Sequence, residues 1–256
     1  MSEKVSFLIA SFNSDQDDIV RTLESIANQK YSSIEVIFVD DGSLLPVCLK
    51  ILEMALNGIP FKLLRNEKNL GLTKSLNIGL KNACGSIIVR LDVGDVNLPN
   101  RVKSQVQCFE DPEIMICFGG AKTTEINGSI SLTRHVPSDR CADHLMRQNI
   151  IPHSAVAFRR QQINCIGGYN EAFKVTQDYE LWTRAIIDCG YAVVSLDKIL
   201  VLRQQNGASI STNRFFQQVY NGFKIRRKYC NLFINLGLTA KHFLISSFLF
   251  MNTKFN

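Results

Sequence analysis

The sequence predicts an α/β protein: a mostly parallel central sheet flanked by helices, with a small antiparallel addition and a basic helical C-terminal tail. Three observations predict it. Uninterrupted apolar runs of strand length alternate with segments whose apolar residues recur at helical spacing. An Asn-Gly pair further on separates two short runs. Residues 200–256 carry eight basic residues and no acidic one, whereas the first 199 residues are net −2.

In chain order, Val5 to Ala10 (VSFLIA) reads as a strand buried on both faces. Ser14-Asp15-Gln16-Asp17 offers a capping oxygen with an acid three residues on, and Ile19, Val20, Leu23, Ile26 and Ala27 follow at helical spacing. Ile34 to Val39 (IEVIFV) is the second strand and runs into Asp40-Asp41-Gly42-Ser43. Cys48, Ile51, Leu52, Ala55 and Leu56 share a face of the next helix, which Gly58-Ile59-Pro60 stops. Phe61 to Leu64 is the third strand. Leu72, Leu76, Gly79, Leu80 and Ala83 mark the third helix, closed by Gly85. Ser86 to Leu91 (SIIVRL) is the fourth strand, with Asp92-Val93-Gly94-Asp95 at its end. Asn127-Gly128, between 123–126 and 129–132, predicts a hairpin. Leu181, Trp182, Ala185, Ile186 and Cys189 form the apolar stripe of a helix running to Gly190.

Composition narrows the class. The 256 residues are 46% hydrophobic and 20% charged, which excludes a disordered chain, a collagen and a coiled coil. No apolar run reaches the ~18 residues of a membrane span. Met1-Ser2-Glu3-Lys4 leads straight into the first strand without a signal-peptide pattern, so a cytoplasmic chain is expected. Eight cysteines form no Cys-x-x-Cys pair, and no His lies at zinc-ligand spacing; reduced, mostly structural thiols are expected.

The tail holds ten of the 23 aromatics beside its eight basic residues. Phe215, Phe216, Val219, Tyr220 and Phe223 fall on one helical face, and Lys224, Arg226, Arg227 and Lys228 follow. That profile suits an anionic membrane surface. A basic helix packed on its own domain and a nucleic-acid contact are the competing readings; the acidic balance of the first 199 residues argues against the second.

In open parallel sheets, ligands bind outside the carboxyl ends of the strands. Carboxylates collect there: Asp40 and Asp41 after the second strand, Asp92 and Asp95 after the fourth. No Gly-x-Gly-x-x-Gly and no Walker motif is present to cradle phosphate by backbone amides. Carboxylates beside a phosphorylated ligand need a cation between them, and hard oxygen donors suit Mg²⁺ or Mn²⁺. Ordinary turn formation is the competing reading of either pair. Asp178, in the first turn of its helix, is favoured as a carboxylate by the helix dipole.

The order VSFLIASFN, VDDGS, NLGLTKSLNIGLKNACGSIIVRLDVGD resembles the nucleotide-binding half of family 2 glycosyltransferases of the GT-A fold. HSAVAFRR, GGYNEAF and QDYELWTRA resemble the acceptor half of bacterial members that build lipopolysaccharide, O-antigen and capsule. The resemblance covers roughly residues 4–211. It implies a glycosyltransferase domain over 1–211, with a nucleotide-binding half at 1–95 and an acceptor half at 96–211. Residues 212–256 are left as a helical appendage.

The same resemblance implies the roles. Asp41, with Asp40 beside it, matches a reader of the base edge. Phe12 stands where relatives usually carry Tyr, and either stacks on the base or packs in the core. Ala10 and Lys74 join the donor set. Asp92 to Asp95 matches an acidic metal motif whose third position here is Gly94; Asp95 is then the metal ligand and Asp92 a donor-sugar or ribose contact. Gln205 stands where relatives often place a ligating His, and Arg203 is positioned to take part of the diphosphate charge. Asp178 matches the catalytic base, preceded by Gln177 where Glu is usual. His153 matches a position near donor phosphates and acceptor, although a lone His is more often structural. Gly167-Gly168-Tyr169 resembles a flexible turn over the site, and Glu180 a wall of the acceptor site.

The activity implied is inverting transfer from a nucleotide-diphosphate sugar, UDP-linked by expectation, to a hydroxyl of a glycan or lipid-linked acceptor, with Mg²⁺ or Mn²⁺. The expected place is the cytoplasm, peripheral at the inner face of the cell membrane, with no nucleic-acid partner; the oligomeric state stays open. The departures at Gly94, Gln177 and Gln205 keep a second reading in play, a non-catalytic nucleotide-sugar-binding module.

Overall fold

A computed structural model describes residues 3–204 and 215–229. Three βα units open the chain. β1 (Val5–Ser11), β2 (Ile34–Asp40), β3 (Phe61–Arg65) and β4 (Ile87–Arg90) are separated by α1 (Gln16–Ala27), α2 (Leu49–Leu56) and α3 (Leu72–Asn82). The four strands pair in parallel, as the alternation of runs predicts, and their order in the sheet is β3-β2-β1-β4. Period-2 alternation then sorts their side chains onto two faces. Phe7, Ile9, Val36 and Phe38 pack with Leu23, Ile26, Leu52 and Leu56 of α1 and α2. Leu8, Ile37, Val39 and Ile88 pack with Leu76 and Leu80 of α3. α3 approaches so closely that a Cβ on Gly79 would lie 2.3 Å from Leu8 Cδ1, which is why glycine occupies that turn of the helix.

The second half extends the sheet. β5 (Val96–Asn97), α4 (Arg101–Cys108), β6 (Ile114–Thr124) and β7 (Ile130–Leu132) are followed by α5 (Cys141–Leu145), β8 (Val156–Arg159) and α6 (Arg160–Cys165). α7 (Gln177–Thr183) continues as a π-helical turn, Arg184–Asp188, and β9 (Ala192–Gln204) and α8 (Phe215–Arg226) follow. β8 lies between β4 and β6, antiparallel to both, and β9 runs parallel to β6. The ends of β4, β6 and β9 therefore point the same way as those of β1 and β2. The Asn127-Gly128 hairpin joins β6 to β7, with Gly128 at φ 79° closing a tight turn on Glu125.

Two expectations change. The helix after Asp178 carries Leu181, Trp182 and Ala185 inward, but Cys189 is exposed, because the π turn rotates the last residues off the stripe. Cys48, Cys84 and Cys165 are also exposed, so fewer of the thiols are core residues than expected.

The tail helix is part of the packed body. On α8, Ile225 joins the core around Trp182, and Asn221 Nδ2 donates to Val175 O at 3.0 Å. Lys228 pairs with Asp188, whose other oxygen accepts from Tyr229 Oη. The expected aromatic face is split: Phe216 and Tyr220 are exposed, while Val219 and Phe223 are half-buried. Gln205, the boundary at 211 and the rest of the tail lie outside the described residues. Among those residues, no helix is long and apolar enough to cross a membrane.

Candidate active site

The expected site residues converge on the carboxyl ends of the strands. Arg90, the last residue of β4, is fully buried, and its guanidinium holds the Asp92 carboxylate and the Leu8 and Leu91 carbonyls. Burial opposes the charged form of Asp92, but Arg90, with Arg203 further off, keeps its pKa below the ordinary value. Asp95 is the contrasting case. Burial first, and the Asp92 charge second, push it up to about 6, although Arg203 and Ser154 favour the carboxylate. Arg203 Nε, from the end of β9, is 3.4 Å from Asp95 Oδ2.

His153 stands against the same cluster. Its Nε2 lies 3.0 Å from Tyr169 Oη, and its ring meets Tyr169 and Trp182 edge-on. Burial, and then the Arg90 charge, lower its pKa to about 3, so it is neutral at pH 7 and acts there as a hydrogen-bonding group. Asp178 faces the cluster from α7. The chain enters that helix through Thr176 at φ 61°, a left-handed conformation unusual for a β-branched residue, and this turn sets where Asp178 stands. Burial raises the Asp178 pKa; the Tyr179 backbone and Asn149 oppose the rise, and Asp92 adds to it.

The residues expected to bind the nucleotide stand at the ends of β1 and β2 and the start of α3. Asp41 is buried: Oδ1 accepts from Asn66 Nδ2 and Leu70 N, and Oδ2 from Gly71 N at 2.8 Å. One acceptor direction remains on Oδ2. Phe12 is 47% exposed, which removes core packing as its explanation. Ala10 is half-buried at the end of β1, and Lys74 is exposed in the first turn of α3. Asp40, by contrast, is 1% exposed and takes Ser43 N, Val47 N and Arg65 Nη1, so its carboxylate is occupied in holding the loop after β2.

Other expectations are also corrected. Glu180 pairs through both oxygens with Arg184, which donates to Ile166 O and Gly168 O. Through Arg184 it braces the glycine turn. That turn is itself tied down, because Asn77 bonds both the N–H and the C=O of Tyr169. Gly94 adopts φ 93°, so a carboxylate at the missing motif position would be strained.

Arg90, Arg101, Gln105 and Asn149 escape sequence reasoning. Arg101 is buried and donates to Gln105 Oε1, Asn97 Oδ1, Arg90 O and Val156 O. Gln105 passes the network on to Cys117 O and Ala155 O. An Arg interrupting the apolar run SIIVRL two residues before Asp92 was the available signal for Arg90, as was the i, i+4 pair for Arg101 and Gln105.

Among the described residues, six buried side-chain polar atoms have no hydrogen bond. Arg90 Nε, Asp95 Oδ2, Ser154 Oγ, Gln177 Oε1 and Trp182 Nε1, five of the six, belong to residues in or beside this cluster. Such groups are rare in native proteins, and five of them gathered in one place single out this cluster as the candidate site. Asp95 Oδ2 fits a hard divalent cation: it is a buried carboxylate oxygen with no hydrogen bond, its partner being the Arg203 ion pair at 3.4 Å, and Mg²⁺-type sites often take one or two carboxylates plus substrate phosphates. No group of three or more His, Cys, Asp or Glu that could hold a metal occurs among the described residues.

Comparison with known proteins agrees with this geometry. The profile described as "Glycosyl transferase family 2" matches residues 6–174. The chain is 26% identical over 225 residues to the amylovoran biosynthesis glycosyltransferase AmsE of Erwinia amylovora, covering 87% of this chain and 84% of that one. It is 26% identical over 187 residues to the UDP-Gal:alpha-D-GlcNAc-diphosphoundecaprenol beta-1,3-galactosyltransferase of Escherichia coli, covering 72% and 68%. Among solved structures, S. aureus TarS 1-349 in complex with UDP superposes with a TM-score of 0.65 at 18% identity, covering 94% of this chain and 70% of that one. Mannosyltransferase PcManGT from Pyrobaculum calidifontis, in complex with GDP-Man and Mn²⁺, gives 0.67 at 15% identity, covering 96% and 76%. These likenesses show the GT-A fold, and with the family match over two-thirds of its length the chain is a glycosyltransferase that belongs to glycosyl transferase family 2.

Proposed function

We propose that this enzyme transfers a sugar from a UDP-sugar to a hydroxyl of a lipid-linked glycan, with inversion, at the inner face of the cell membrane. The observation that carries the reading is the pairing of opposites in one cluster. Asp178, a carboxylate held by a single side-chain hydrogen bond, lies within electrostatic reach of Asp92, which belongs to a cluster of ion pairs, Arg90 with Asp92 and Arg203 with Asp95. A base on one side and charge-handling groups on the other suit a single displacement. The base would take the acceptor proton as the oxygen attacks the anomeric carbon and the diphosphate departs.

Phe12 would stack on the base and Asp41 Oδ2 would accept its imide hydrogen, a donor group that uracil offers. Asp95 would hold Mg²⁺ or Mn²⁺, which as a Lewis acid stabilises negative charge on a leaving diphosphate. Arg203 contributes to the same end, and neutral His153 is placed to hydrogen-bond a phosphate or sugar hydroxyl. The lipid-linked acceptor is suggested by the relative whose name specifies a diphosphoundecaprenol substrate.

A screen of UDP-, GDP- and dTDP-sugars for hydrolysis and transfer, with and without Mn²⁺, tests the reading, with product anomers resolved by NMR. Turnover of UDP-sugars with inverted product supports it. Tight UDP binding without hydrolysis or transfer would favour the non-catalytic module.

A further inference from the structure

Two thiols meet where the end of α4 lies against β6. Cys108 is the last residue of the helix, Cys117 sits within the strand, and their sulfurs are 3.0 Å apart. A disulfide bond is about 2.0 Å long, so an approach of about 1 Å separates contact from bond. The fold holds the pair in register. Gln105, one turn before Cys108, donates from Nε2 to Cys117 O at 3.1 Å. Arg159 clamps the connection between helix and strand by donating to Phe109 O, Asp111 O and Ile114 O. The last turn of a helix is the part least held by its own ladder, so the Cys108 end can supply the remaining shift.

The two thiols are not alike. Cys117 is fully buried, whereas Cys108 is half-buried. Cys117 donates to Cys108 Sγ, and Cys108 in turn donates to Ser104 O at 3.5 Å. The hydrogen bond from Cys117 lowers the Cys108 pKa; burial opposes this, and the Lys198 charge adds to the lowering. For Cys117 the same bond and burial both push the pKa up. Thiolate therefore forms at the sulfur that solvent reaches, while the buried one keeps its proton. That is the division between an attacking and a resolving thiol. Cys48, Cys84, Cys165 and Cys189 are more exposed, but among the described residues no second thiol stands within hydrogen-bonding distance of any of them. Nor does a third His, Cys, Asp or Glu join the pair to make a metal site among those residues.

We propose that Cys108 and Cys117 are a redox-active dithiol, which hydrogen peroxide oxidises to a disulfide tying the end of α4 to β6 and which a thiol reductant reopens. The Cys108 thiolate attacks one peroxide oxygen. The O–O bond breaks, Cys108 becomes a sulfenic acid, and the other oxygen leaves as hydroxide and takes up a proton as water. Cys117 sulfur then attacks Cys108 sulfur, the S–O bond breaks, and the hydroxyl leaves with the Cys117 proton as a second water. Two thiols and one peroxide become one disulfide and two waters; two external thiols reverse the bond and are oxidised to their own disulfide. The bond would lie one helical turn from Gln105, which accepts from Arg101, and Arg101 continues to Arg90 O. Oxidation thus locks the helix on which the network beneath Asp92 is built. None of this chemistry depends on which sugar or acceptor the enzyme uses.

The test takes the full chain, reduced and freed of reductant, through hydrogen peroxide, alkylation of the remaining thiols and cleavage after Glu110 or Glu113, which lie between the two cysteines. Monomeric protein should yield linked peptides bearing Cys108 and Cys117, at peroxide levels that leave Cys84 and Cys165 free, and dithiothreitol should separate them. Cys117→Ser should stall at the sulfenic acid, so that dimedone labels Cys108. Cys108→Ser should leave Cys117 unlabelled, with its oxidation slower by about tenfold or more. Wild-type protein that is alkylated at both positions after peroxide has consumed the exposed thiols overturns the proposal. So does a linkage from either sulfur to another cysteine, or dimedone labelling of Cys117 in Cys108→Ser as strong as that of Cys108 in Cys117→Ser. Because the peptide map is read on wild-type protein, it decides the matter even where a variant fails to fold.

Discussion

Asn149 Nδ2 donates to Asp178 Oδ2 at 2.8 Å, and the oxygen of the same amide accepts from Ile151 N at 3.2 Å. The backbone donor settles which end of the amide is which, so the nitrogen must face the carboxylate. Asn149 thus holds Asp178 in place and favours its charged form against the burial that disfavours it.

Asp178→Asn should leave UDP affinity within a few-fold of wild type and cut turnover by roughly 10²–10⁴, the usual scale of general-base catalysis. Asn149→Ala should act through pH. Removing a group that lowers the Asp178 pKa raises it further, so kcat/KM falls on the acid side and recovers as pH rises. A pH profile separates this from simple damage, which would lower activity equally at every pH and leave the profile unshifted.

Asp95 links function to stability with the opposite sign from an ordinary carboxylate. Its pKa is about 6 in the fold against 3.8 ordinarily, so between these values the folded state keeps a proton that the unfolded chain has lost. Stability contributed by this group therefore declines as pH rises from about 4 to about 6, and the penalty is complete above that. Two pKa units correspond to about 3 kcal/mol. Asp95→Asn should raise Tm by several degrees at pH 7.5 and change little near pH 4, while weakening UDP-sugar binding in Mn²⁺ far more than in EDTA. A Tm at pH 7.5 equal to or below wild type would show that Asp95 is not held under strain.

Arg101 is the keystone of the network beneath these carboxylates. Burial lowers its pKa to about 9, yet it remains charged near neutrality and meets four acceptors on three strands and its own helix. Arg101→Met leaves those acceptors buried and unmet, which should cost about 3–5 kcal/mol in urea unfolding. Arg101→Lys should rescue only part of this, because a single ammonium cannot span the guanidinium's positions. A loss under 1 kcal/mol would mean the network rearranges around the gap.

The parts of this protein legible in the sequence are those set by local pattern. Continuous apolar runs such as VSFLIA and IEVIFV exist because those strands are covered on both faces, so β1 to β4 could be placed along the chain and read as parallel, though their order in the sheet could not. β8 was beyond that logic. Its insertion between β4 and β6 is a tertiary choice that no period encodes, although Arg159 and Ala157 end up paired with Ile87 and Val89. The site divides the same way. Motif positions named Asp95, Asp178 and Arg203, which the fold brings to one cluster, but Asp40 and Asp41 are adjacent, chemically identical and differently bonded. Only the fold shows that Arg65 and Ser43 claim the first while the second keeps a free acceptor direction. Arg90 left a local mark, a charge inside an apolar strand run, whereas Asn149 acts through a partner 29 residues away and nothing local marks it.

The exposure of Phe12 gives the sharpest test of the nucleotide pocket. A phenylalanine 47% exposed at the end of β1 contributes little to the core, so Phe12→Ala should unfold at nearly the wild-type temperature. If the ring stacks on the base, the same change removes about 1–3 kcal/mol of binding, roughly a 5- to 150-fold rise in Kd. Stacking takes any base, so UDP and GDP should weaken alike and the preference between them should persist, because Asp41 Oδ2 keeps its acceptor direction. Phe12→Tyr, which retains the ring, should bind within a few-fold of wild type. Calorimetric titration of UDP and GDP into the three proteins decides it: unchanged affinity in Phe12→Ala would place the base elsewhere, and a loss confined to UDP would mean that Phe12 reads base identity through Asp41 instead of supplying a stacking platform.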